Sequence, residues 1–395
     1  MSEIKVNSIK GVGASAAAIT VNNSDGTCTA NITNNLSNRN KIINGAMIHS
    51  QRGTTFSPTG QDQVYTLDRF QHVATSGVSW DATVTQDSSA PAGFSKSYKV
   101  TPDSTDTPSG GGNACIRYKI EGQDLQDLAY GTSSAKPLTI SFYAKTGSEN
   151  SGDQYTLCIF YFRTDGTGKT VSVAFTPTST WQRFSYTFAG DTDATYGIRN
   201  SEDMGMSIQW VLASGPNDIQ AAMSTWTVDG TYFRGVTGQN NFNDNTNNEF
   251  YLTGVQLEVD NTGSGKPTDF EHRSFGQELA LCQRYYYRWT AGIANRYLWQ
   301  GQSYSTSSCF GVIKEFPVTM RISPTSSLSG TFLPYGDDGS TSGHSEFSTR
   351  HIDQNTKHHL GTGGWDGASG VGGGGRCVVV IAVGATDYID ASAEL

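Results

Sequence analysis

Charged residues are scarce in this sequence, and basic clusters are missing. Asp, Glu, Lys and Arg make up 16% of its 395 residues, and the formal net charge is −9. A protein that binds nucleic acid without sequence preference needs a basic surface that displaces counterions from the phosphates. The sequence therefore predicts that nucleic acid is not a partner.

Closely spaced cysteines and long apolar runs are also missing. The six cysteines are scattered, and no Cys-x-x-Cys pair occurs, so the spacing favours neither a zinc site nor a disulfide framework. We expect no metal site, and reduced, mostly buried thiols after synthesis in a cytoplasm. No run of about 18 apolar residues is present, which predicts no insertion into a membrane. The stretch "GVGASAAAITV" is too rich in Gly and Ala for the apolar centre of a signal peptide.

Catalytic and nucleotide-binding signatures are not found either. "GTGKT" (166–170) ends like a phosphate-binding loop, but Arg163 stands where that loop needs glycine, and a strand pattern follows. "GVGGGG" (370–375) lacks the βαβ context of a dinucleotide site. No G-x-S-x-G, H-E-x-x-H or Cys/His signature occurs. We predict no catalytic residues and no cofactor, although a carboxylate pair for glycoside hydrolysis is not recognisable from sequence.

Strand signals dominate the chain from residue 41 to about 275. "TVSVAF" (170–175) alternates, and "QRFSYTF" (182–188) places Phe184, Tyr186 and Phe188 on one face. Many aromatic residues and turn formers, with little charge, favour an all-β protein. Short strands without interleaved helices indicate an antiparallel β-sandwich, which we expect to span residues 41–275.

One segment of the chain has a helical pattern. In "SFGQELALCQRYY", Ser274 and Gln277 fit a capping box. Leu279, Cys282 and Tyr286 then share one helical face. The sequence predicts a short helix that closes the sandwich and leads into a second, smaller β-sandwich-like unit, with helix and unit together spanning residues 276–395.

That second unit contains long Gly-rich loops, "GDDGSTSGHSEFST" and "GTGGWDGASGVGGGG". Loops of this length are usually functional surface or are held by neighbouring subunits. They and the adjacent residues carry groups suited to stacking and hydrogen bonding, and we predict ligand contacts there. The predicted ligand-binding residues are His344, His351, His358, Trp365 and Asp366.

The sequence gives weaker support to three other binding sites. A metal cluster of histidines in the region of residues 344–359 lacks ligand spacing. "NNFNDNTNNEF" (240–250) lacks the acidic ladder of a calcium loop. Five aromatic residues of the sandwich are candidates for stacking on sugar rings, but most aromatics on strands belong to cores. These five are Trp80, Trp210, Trp226, Tyr232 and Phe233.

Three stretches together resemble a family of tail-fibre and related virion proteins of tailed bacteriophages. They are "NKIINGAMIHSQRGTTF" (40–56), "YTLDRFQ" (65–71) and "FYLTGVQLEVDNTGSGKPTDFEHRSFGQELALCQRYY" (250–286). In that family such motifs bracket a jelly-roll like that of carbohydrate-binding modules. "EIKVNSI" also looks like the N-terminal strand of such fibres. The resemblance covers the whole predicted sandwich and its exit helix.

The resemblance implies a structural joint packed by Phe270, Leu279, Cys282 and Tyr286. Related carbohydrate-binding modules often hold structural calcium with acidic residues on the final strand. Here Thr253 and Gly254 stand at those positions, so calcium is not carried over. Residues 1–40, which are too polar to form a core alone, would anchor the chain to the particle and to other copies.

The predicted function is therefore attachment of a virion, without catalysis. The partners would be two further copies in a homotrimer, other tail or adaptor proteins at the N-terminus, and a host-surface glycan or outer-membrane component. The chain would reside in the virion tail or a tail-associated fibre. Two alternatives remain open at this stage, a non-adhesive neck, capsid or tail decoration protein and a polysaccharide depolymerase.

Overall fold

The structure is a computed structural model of the 395-residue chain. It describes residues 7–10, 19–21, 24, 28–30, 38–228, 235–260, 265–310, 314–335, 344–350, 355–360, 364–369, 371–372 and 374–395. Among the first forty residues, three short antiparallel strands form a small sheet in the order β1-β2-β3. They are β1 (Ser8–Ile9), β2 (Ile19–Val21) and β3 (Cys28–Ala30). The third strand lies in the stretch that the sequence pattern favoured as turns.

Residues 38–228 and 235–260 form a sandwich of two antiparallel sheets. Its strands are β4 (Thr55–Phe56), β5 (Gln63–Tyr65), β6 (Phe70–Ala74), β7 (Ala82–Asp87), β8 (Ser97–Pro102), β9 (Asn113–Glu121), β10 (Leu138–Thr146), β11 (Tyr155–Phe162), β12 (Gly168–Phe175), β13 (Gln182–Phe188), β14 (Met204–Ser214), β15 (Ile219–Gln220), β16 (Met223–Val228), β17 (Gly235–Val236) and β18 (Phe250–Val259). Two 3-10 helices, Gly122–Leu128 and Phe242–Asp244, interrupt them.

The strands of the sandwich pair in two main sheets that share one core. One sheet has the order β13-β10-β18-β8-β7-β4, the other β16-β12-β11-β14-β9-β6-β5, and β15 pairs with β17 in parallel. Period-two alternation sends Phe142, Trp210 and Phe70 into one shared core, where none of them has exposed surface. Phe188 also belongs to this core, and Phe184 and Tyr186 pack against it. The predicted antiparallel jelly-roll sandwich is therefore confirmed.

Helix α1 (Phe275–Gln283) follows the sandwich. The Gln277 N–H donates to the Ser274 hydroxyl oxygen at 3.4 Å, so Ser274 is the N-cap. The strands beyond the helix are β19 (Tyr286–Thr290), β20 (Arg296–Ser303), β21 (Cys309–Phe310), β22 (Lys314–Glu315), β23 (Thr325–Ser329), β24 (Phe332–Tyr335), β25 (Thr349–Arg350), β26 (His359–Leu360), β27 (Gly364–Asp366), β28 (Cys377–Ala382) and β29 (Tyr388–Ser392).

The C-terminal strands form a six-stranded sheet, β24-β28-β20-β21-β27-β25, a three-stranded sheet, β19-β29-β23, and the pair β22-β26. Val378, Val380 and Ala382 point from the six-stranded sheet into a core that also receives Ile389 and Ala391 from the three-stranded sheet. The predicted all-β class, with a short helix before a second, smaller β unit, is confirmed. The domain limits at residues 40 and 275 stay predictions.

Candidate functional site

Two tyrosines that follow helix α1 form the junction between the sandwich and the C-terminal unit. The guanidinium of Arg69 lies 3.5 Å from the ring centre of Tyr285, and that of Arg52 lies 3.5 Å from the ring centre of Tyr286. Both guanidinium groups bind the carboxylate of Glu394, with an Arg52 Nη2 to Oε1 distance of 3.2 Å. The aromatic block after the helix therefore supplies the ring faces that position two arginines.

The Arg69–Glu394 ion pair is buried. The exposed fractions of the two side chains are 1% and 5%. Burial opposes the charge on Arg69, but the carboxylate of Glu394 and the hydroxyl of Tyr285 outweigh it and raise the pKa of the guanidinium. Burial and the nearby cations Arg117 and Arg69 lower the pKa of Lys119 to about 7. Because removal of either partner would leave a buried charge alone, we expect a substitution at either residue to weaken the contact between the two units.

The backbone next to Glu394 is bound as well. Arg321 donates from Nε to the carbonyl of Ala393 at 2.7 Å and from Nη2 to the carbonyl of Glu394 at 2.8 Å. Its third nitrogen, Nη1, donates to the carbonyl of Glu202 on the sandwich at 2.8 Å. One side chain of the C-terminal unit thus ties the end of strand β29 to the sandwich.

The four residues predicted to pack the joint lie at different depths. Cys282 and Tyr286 are buried, whereas Leu279 and Phe270 are half-buried. Phe270 packs edge-on against Phe94 on the sandwich, with ring centres 4.9 Å apart. The joint therefore has a buried side near Cys282 and Tyr286 and a partly open side at Phe270.

The loop residues predicted to bind a ligand are held in separate settings. His344 is half-buried, and its Nδ1 lies 2.8 Å from the Pro334 carbonyl oxygen. His358 is exposed, with Nδ1 3.3 Å from the Thr319 hydroxyl. His351 lies outside the described residues. His344 and His358 therefore each contact a different neighbouring residue.

Trp365 requires a correction, because the structure places it in the core of the C-terminal unit. Its side chain has no exposed surface and packs edge-on against Phe332 and Phe347, at ring-centre distances of 5.7 and 5.3 Å. The segment expected to be a loop contains strand β27, in which Trp365 pairs with Cys309. A fully buried ring cannot stack on a ligand, so Trp365 contributes packing instead.

Asp366, the neighbour of Trp365, belongs to a surface that the sequence did not reveal. Because Trp365 points into the core, Asp366 points to the opposite, outward face of the six-stranded sheet. There the Tyr304 hydroxyl donates to Asp366 Oδ1 at 2.6 Å. This hydrogen bond to the carboxylate raises the pKa of Tyr304.

The outward face carries two pairs of aromatic rings. Tyr304 stacks on Phe310 with ring centres 4.5 Å apart and an interplanar angle of 29°. Tyr297 meets Tyr335 edge-on at 5.4 Å. The exposed fractions of Tyr297, Phe310 and Tyr304 are 60%, 54% and 48%. These are the candidate binding residues, because large exposed rings on a sheet face are suited to stacking.

A cleft of about 340 Å³ lies beside the Tyr297–Tyr335 pair. Its lining residues come from three adjacent strands of the six-stranded sheet, β24, β28 and β20. They combine aromatic and aliphatic surface with one amide side chain, that of Gln300. The complete lining is Tyr297, Leu298, Gln300, Tyr335 and Val379.

A β-bulge explains why period-two alternation alone would not have revealed this face. In β20 the pairing with β28 shifts between Tyr297 and Trp299, so that Tyr297 pairs with Ile381 and Gln300 with Val379. Strict alternation would place Tyr297 and Gln300 on opposite faces, but the extra residue puts them on one face. The exposed tyrosine and the amide that accompanies it are therefore a product of this irregularity.

Five aromatic residues of the sandwich were candidates for stacking on sugar rings. The three that the structure describes pack within the protein. Trp80 and Trp210 have no exposed surface. Trp226 is half-buried, and its Nε1 donates to the Ala189 carbonyl at 2.8 Å. Tyr232 and Phe233 lie outside the described residues.

Thr253 and Gly254, the two positions considered for calcium binding, have other roles in the final strand of the sandwich. The Thr253 hydroxyl donates to the Lys96 carbonyl at 2.8 Å. Gly254 has a φ of 61°, and a Cβ there would lie 2.8 Å from the rings of Phe94 and Tyr143, so a side chain would collide with them. Within the described ranges, no group of three or more His, Cys, Asp or Glu side chains is arranged to hold a metal.

Comparisons with known proteins return likenesses of fold only. A tailspike protein 4 enzymatically active domain of bacteriophage CBA120 has 13% sequence identity and a TM-score of 0.30, and the match covers 56% of this chain and 21% of that chain. The xylan-binding domain CBM22-1 of Paenibacillus barcinonensis Xyn10C has 10% identity and a TM-score of 0.27, covering 52% and 92%. A family 11 carbohydrate-binding module of a Clostridium thermocellum cellulase has 14% identity and a TM-score of 0.27, covering 56% and 100%.

No protein-family model and no curated protein matches the sequence. Of the helices in the described parts of the chain, none has the length and apolar character needed to cross a membrane.

Proposed function

We propose that this chain is a non-catalytic virion protein of a tailed bacteriophage, a tail fibre that attaches the particle to a host-surface glycan. The observation that carries the proposal is the exposed aromatic face of the six-stranded C-terminal sheet, with its Tyr304–Phe310 and Tyr297–Tyr335 pairs. Sugar rings have apolar faces that stack on such side chains, while neighbouring amides and hydroxyls bind the sugar hydroxyls. The sequence resemblance to tail-fibre proteins supplies the biological setting.

The same face favours adhesion over turnover. Glycoside hydrolysis requires two carboxyl groups that flank the scissile bond. Among the described outward positions of strands β20, β21, β24, β27 and β28, Asp366 is the single carboxylate, and it accepts a hydrogen bond from Tyr304. The surface therefore offers stacking and hydrogen bonding without the acid–base pair that a depolymerase needs.

The remaining parts of the chain have supporting roles in this proposal. Residues 1–40 anchor the chain to the particle and take part in trimer formation. The sandwich is a scaffold, and the Arg69–Glu394 pair holds the C-terminal unit rigidly against it. Several copies on one particle multiply weak contacts into firm attachment, because each further contact is intramolecular once the first has formed.

The test is host adsorption of particles that carry Tyr297→Ala and Phe310→Ala together. We expect adsorption to fall by at least about tenfold, as for the loss of central aromatic contacts at an interface. Phe275→Ala is the matched control, since Phe275 is 64% exposed but lies at the start of helix α1. Unchanged adsorption of the double variant would contradict the proposal.

The two alternatives predict different results in the same experiment. A decoration protein would leave adsorption unchanged whether or not the aromatic face is altered. A depolymerase would release reducing ends from the host polysaccharide during incubation with the purified chain. We expect binding of the polysaccharide without such release.

The anchoring role of residues 1–40 has a separate test. A chain that lacks residues 1–37 should fold and bind host cells, because the described strands of this segment lie in a small sheet of their own, whereas Arg39 and Asn40, which bind the sandwich, are retained. It should fail to enter particles. Normal incorporation of the shortened chain would remove the anchoring role and leave the proposed binding face untouched.

A further inference from the structure

We infer that the ligand of the outward face is an uncharged oligosaccharide that lies along strand β20 and contacts both aromatic pairs at once. This inference rests on the proposed function and narrows it to one chemical class of glycan. It depends on two observations, the charge of the outward positions and the separation of the two aromatic pairs.

The first observation is the charge of the outward positions. The described outward positions of strands β20, β21, β24, β27 and β28 contain aromatic, aliphatic and amide side chains, one thiol, one glycine, one carboxylate and no base. Two exposed arginines, Arg296 and Arg376, occupy positions of the opposite register. Arg296 pairs with Ala382, whose side chain is in the core, and alternation places Arg376 opposite to Cys377. The outward positions are Leu333, Tyr335, Cys377, Val379, Ile381, Tyr297, Gln300, Gln302, Phe310, Gly364 and Asp366.

A surface of this composition discriminates against anionic glycans. A polysaccharide with carboxylate, sulfate or phosphate groups would need basic partners, as Arg provides through paired hydrogen bonds. Here it would meet the carboxylate of Asp366 and a chain with a formal net charge of −9. An uncharged sugar is not repelled by these negative charges. Its hydroxyls can form hydrogen bonds with the amides of Gln300 and Gln302, which both donate and accept.

The second observation is the distance between the aromatic pairs along the strand. Tyr297 is near the start of β20, and Phe310 pairs with Gln302 near its end. Because of the bulge, the β28 partners of these two β20 residues, Ile381 and Cys377, are four residues apart, which at about 3.3 Å each is roughly 13 Å along the strand. A single hexose ring cannot reach both pairs, whereas a chain of several sugars can.

Each aromatic pair has a glutamine beside it: Gln300 lies level with Tyr335 across strand β28, and Gln302 lies opposite Phe310. Gln300 also lines the cleft of about 340 Å³ beside Tyr297 and Tyr335. Both ends of the face therefore combine aromatic rings with an amide. This arrangement suits an extended oligosaccharide that stacks on the rings and forms hydrogen bonds with the amide at each end.

The experiment uses the full chain and the surface polysaccharide of a host that the particles adsorb to. Anion exchange separates this material into uncharged and acidic fractions, and partial hydrolysis gives fragments sorted by length. We expect the uncharged fraction to bind, with an affinity that is the same at low and high salt. We also expect the affinity to rise by at least tenfold between single sugars and fragments long enough to reach both pairs.

Variants connect this binding to the outward face. Tyr297→Ala and Phe310→Ala should each reduce the affinity for long fragments to near that of short ones. Tyr297→Phe should retain the affinity, because it keeps the ring. Phe275→Ala is again the control. A second measurement uses Cys377, an exposed cysteine on this face, whose alkylation should slow when the long uncharged fragments are bound.

Each contrary outcome has a distinct meaning. Binding of the acidic fraction, lost in Tyr297→Ala and weakened by salt, would overturn the uncharged class while the proposed function stands. Equal affinity for single sugars and long fragments would overturn the two-pair contact. Binding of no fraction would overturn the proposed function itself. If Tyr297→Ala instead dissociates an oligomer and leaves glycan binding intact, the face joins copies of the chain and the inference fails.

Discussion

The sandwich and the C-terminal unit differ in what covers the outward face of a sheet. On the seven-stranded sheet of the sandwich, the outward residues Val73, Cys115, Cys158 and Val211 form a buried apolar cluster. Strand β17 runs beside this cluster, and its Val236 N–H donates to the hydroxyl of the outward residue Thr156 at 2.8 Å. On the six-stranded C-terminal sheet, the outward rings of Tyr297, Tyr304 and Phe310 are about half exposed. The first face is closed by the chain itself, whereas the second is available to a partner.

This difference shows that aromatic content alone does not identify a binding surface. Trp80 and Trp210 are the largest rings of the sandwich core, and Trp365 has the same role in the C-terminal unit. A sheet has two faces, and aromatic rings that stay exposed on one of them are able to contact a partner. We therefore assign binding to the outward rings of strands β20, β21 and β24 and to that of Tyr304, instead of to the Gly-rich loops.

The largest expected effect separates the buried and the exposed aromatics of the C-terminal unit. Trp365→Ala removes a fully buried ring that packs against Phe332 and Phe347. We expect the free energy of unfolding to fall by about 3–5 kcal/mol. Phe310→Ala, at a ring that is 54% exposed, should change it by less than about 0.5 kcal/mol. Urea unfolding of both variants measures the difference, and equal losses would mean that the outward face is also covered.

The next effect concerns how the two units are held together. Glu394→Gln leaves the buried guanidinium of Arg69 without its anion, which we expect to reduce the free energy of unfolding by about 3 kcal/mol. The matched control is Glu202→Gln, which breaks a pair with Lys357 that also crosses between the units. Both side chains of that pair are 43% exposed, so water screens the pair, and its loss should lower the free energy of unfolding far less than the loss of the buried pair. If the two variants unfold alike, the buried pair does not fix the junction.

The sequence predicted the features that depend on neighbouring residues. Alternation in "QRFSYTF" identified the side of β13 that faces the core, and the Ser274 cap identified the start of helix α1. Both signals are local, since a strand face and a helix end are determined by residues a few positions apart. For the same reason, the all-β class and the short helix could be predicted without any tertiary information.

The features that depend on distant partners could not be predicted. Glu394 meets Arg69 across 325 positions of sequence, and no local pattern identifies that partner. Trp365 lies among glycines, yet its strand pairs with β21 and carries it into the core. The outward position of Gln300 depends on a bulge in β20. Tertiary pairing decides each of these cases.

A smaller effect, dependent on pH, arises in the sandwich through His72. The ring is buried against Trp80, with ring centres 3.9 Å apart, and burial lowers its pKa from 6.5 to about 4. Below pH 6.5 the imidazole binds a proton in the unfolded chain but stays neutral in the folded chain. The free energy of unfolding therefore falls as the pH drops from 6.5 to about 4, by roughly 2–3 kcal/mol.

The exposed His358 of the C-terminal unit provides the control for this effect. Unfolding measured from pH 7 to 4 should show a flatter profile for His72→Phe than for the unaltered chain. His358→Phe is the matched control, because its ring is exposed and lies in the other unit. Identical profiles for all three proteins would show that His72 does not limit acid stability.

The smallest expected effect is that of a metal chelator on the sandwich. Lys169 is 5% exposed, and its ammonium lies 2.8 Å from Asp191 Oδ2 and 3.0 Å from Asp193 Oδ2. Hydrogen bonds from Thr195 and Lys169 lower the pKa of Asp193. A cation of the chain therefore stands between two carboxylates that would otherwise attract calcium. We expect thermal melts with and without chelator to coincide. A drop of several degrees would reveal a metal that the sandwich requires, and the two units would then differ in metal dependence as well as in their outward faces.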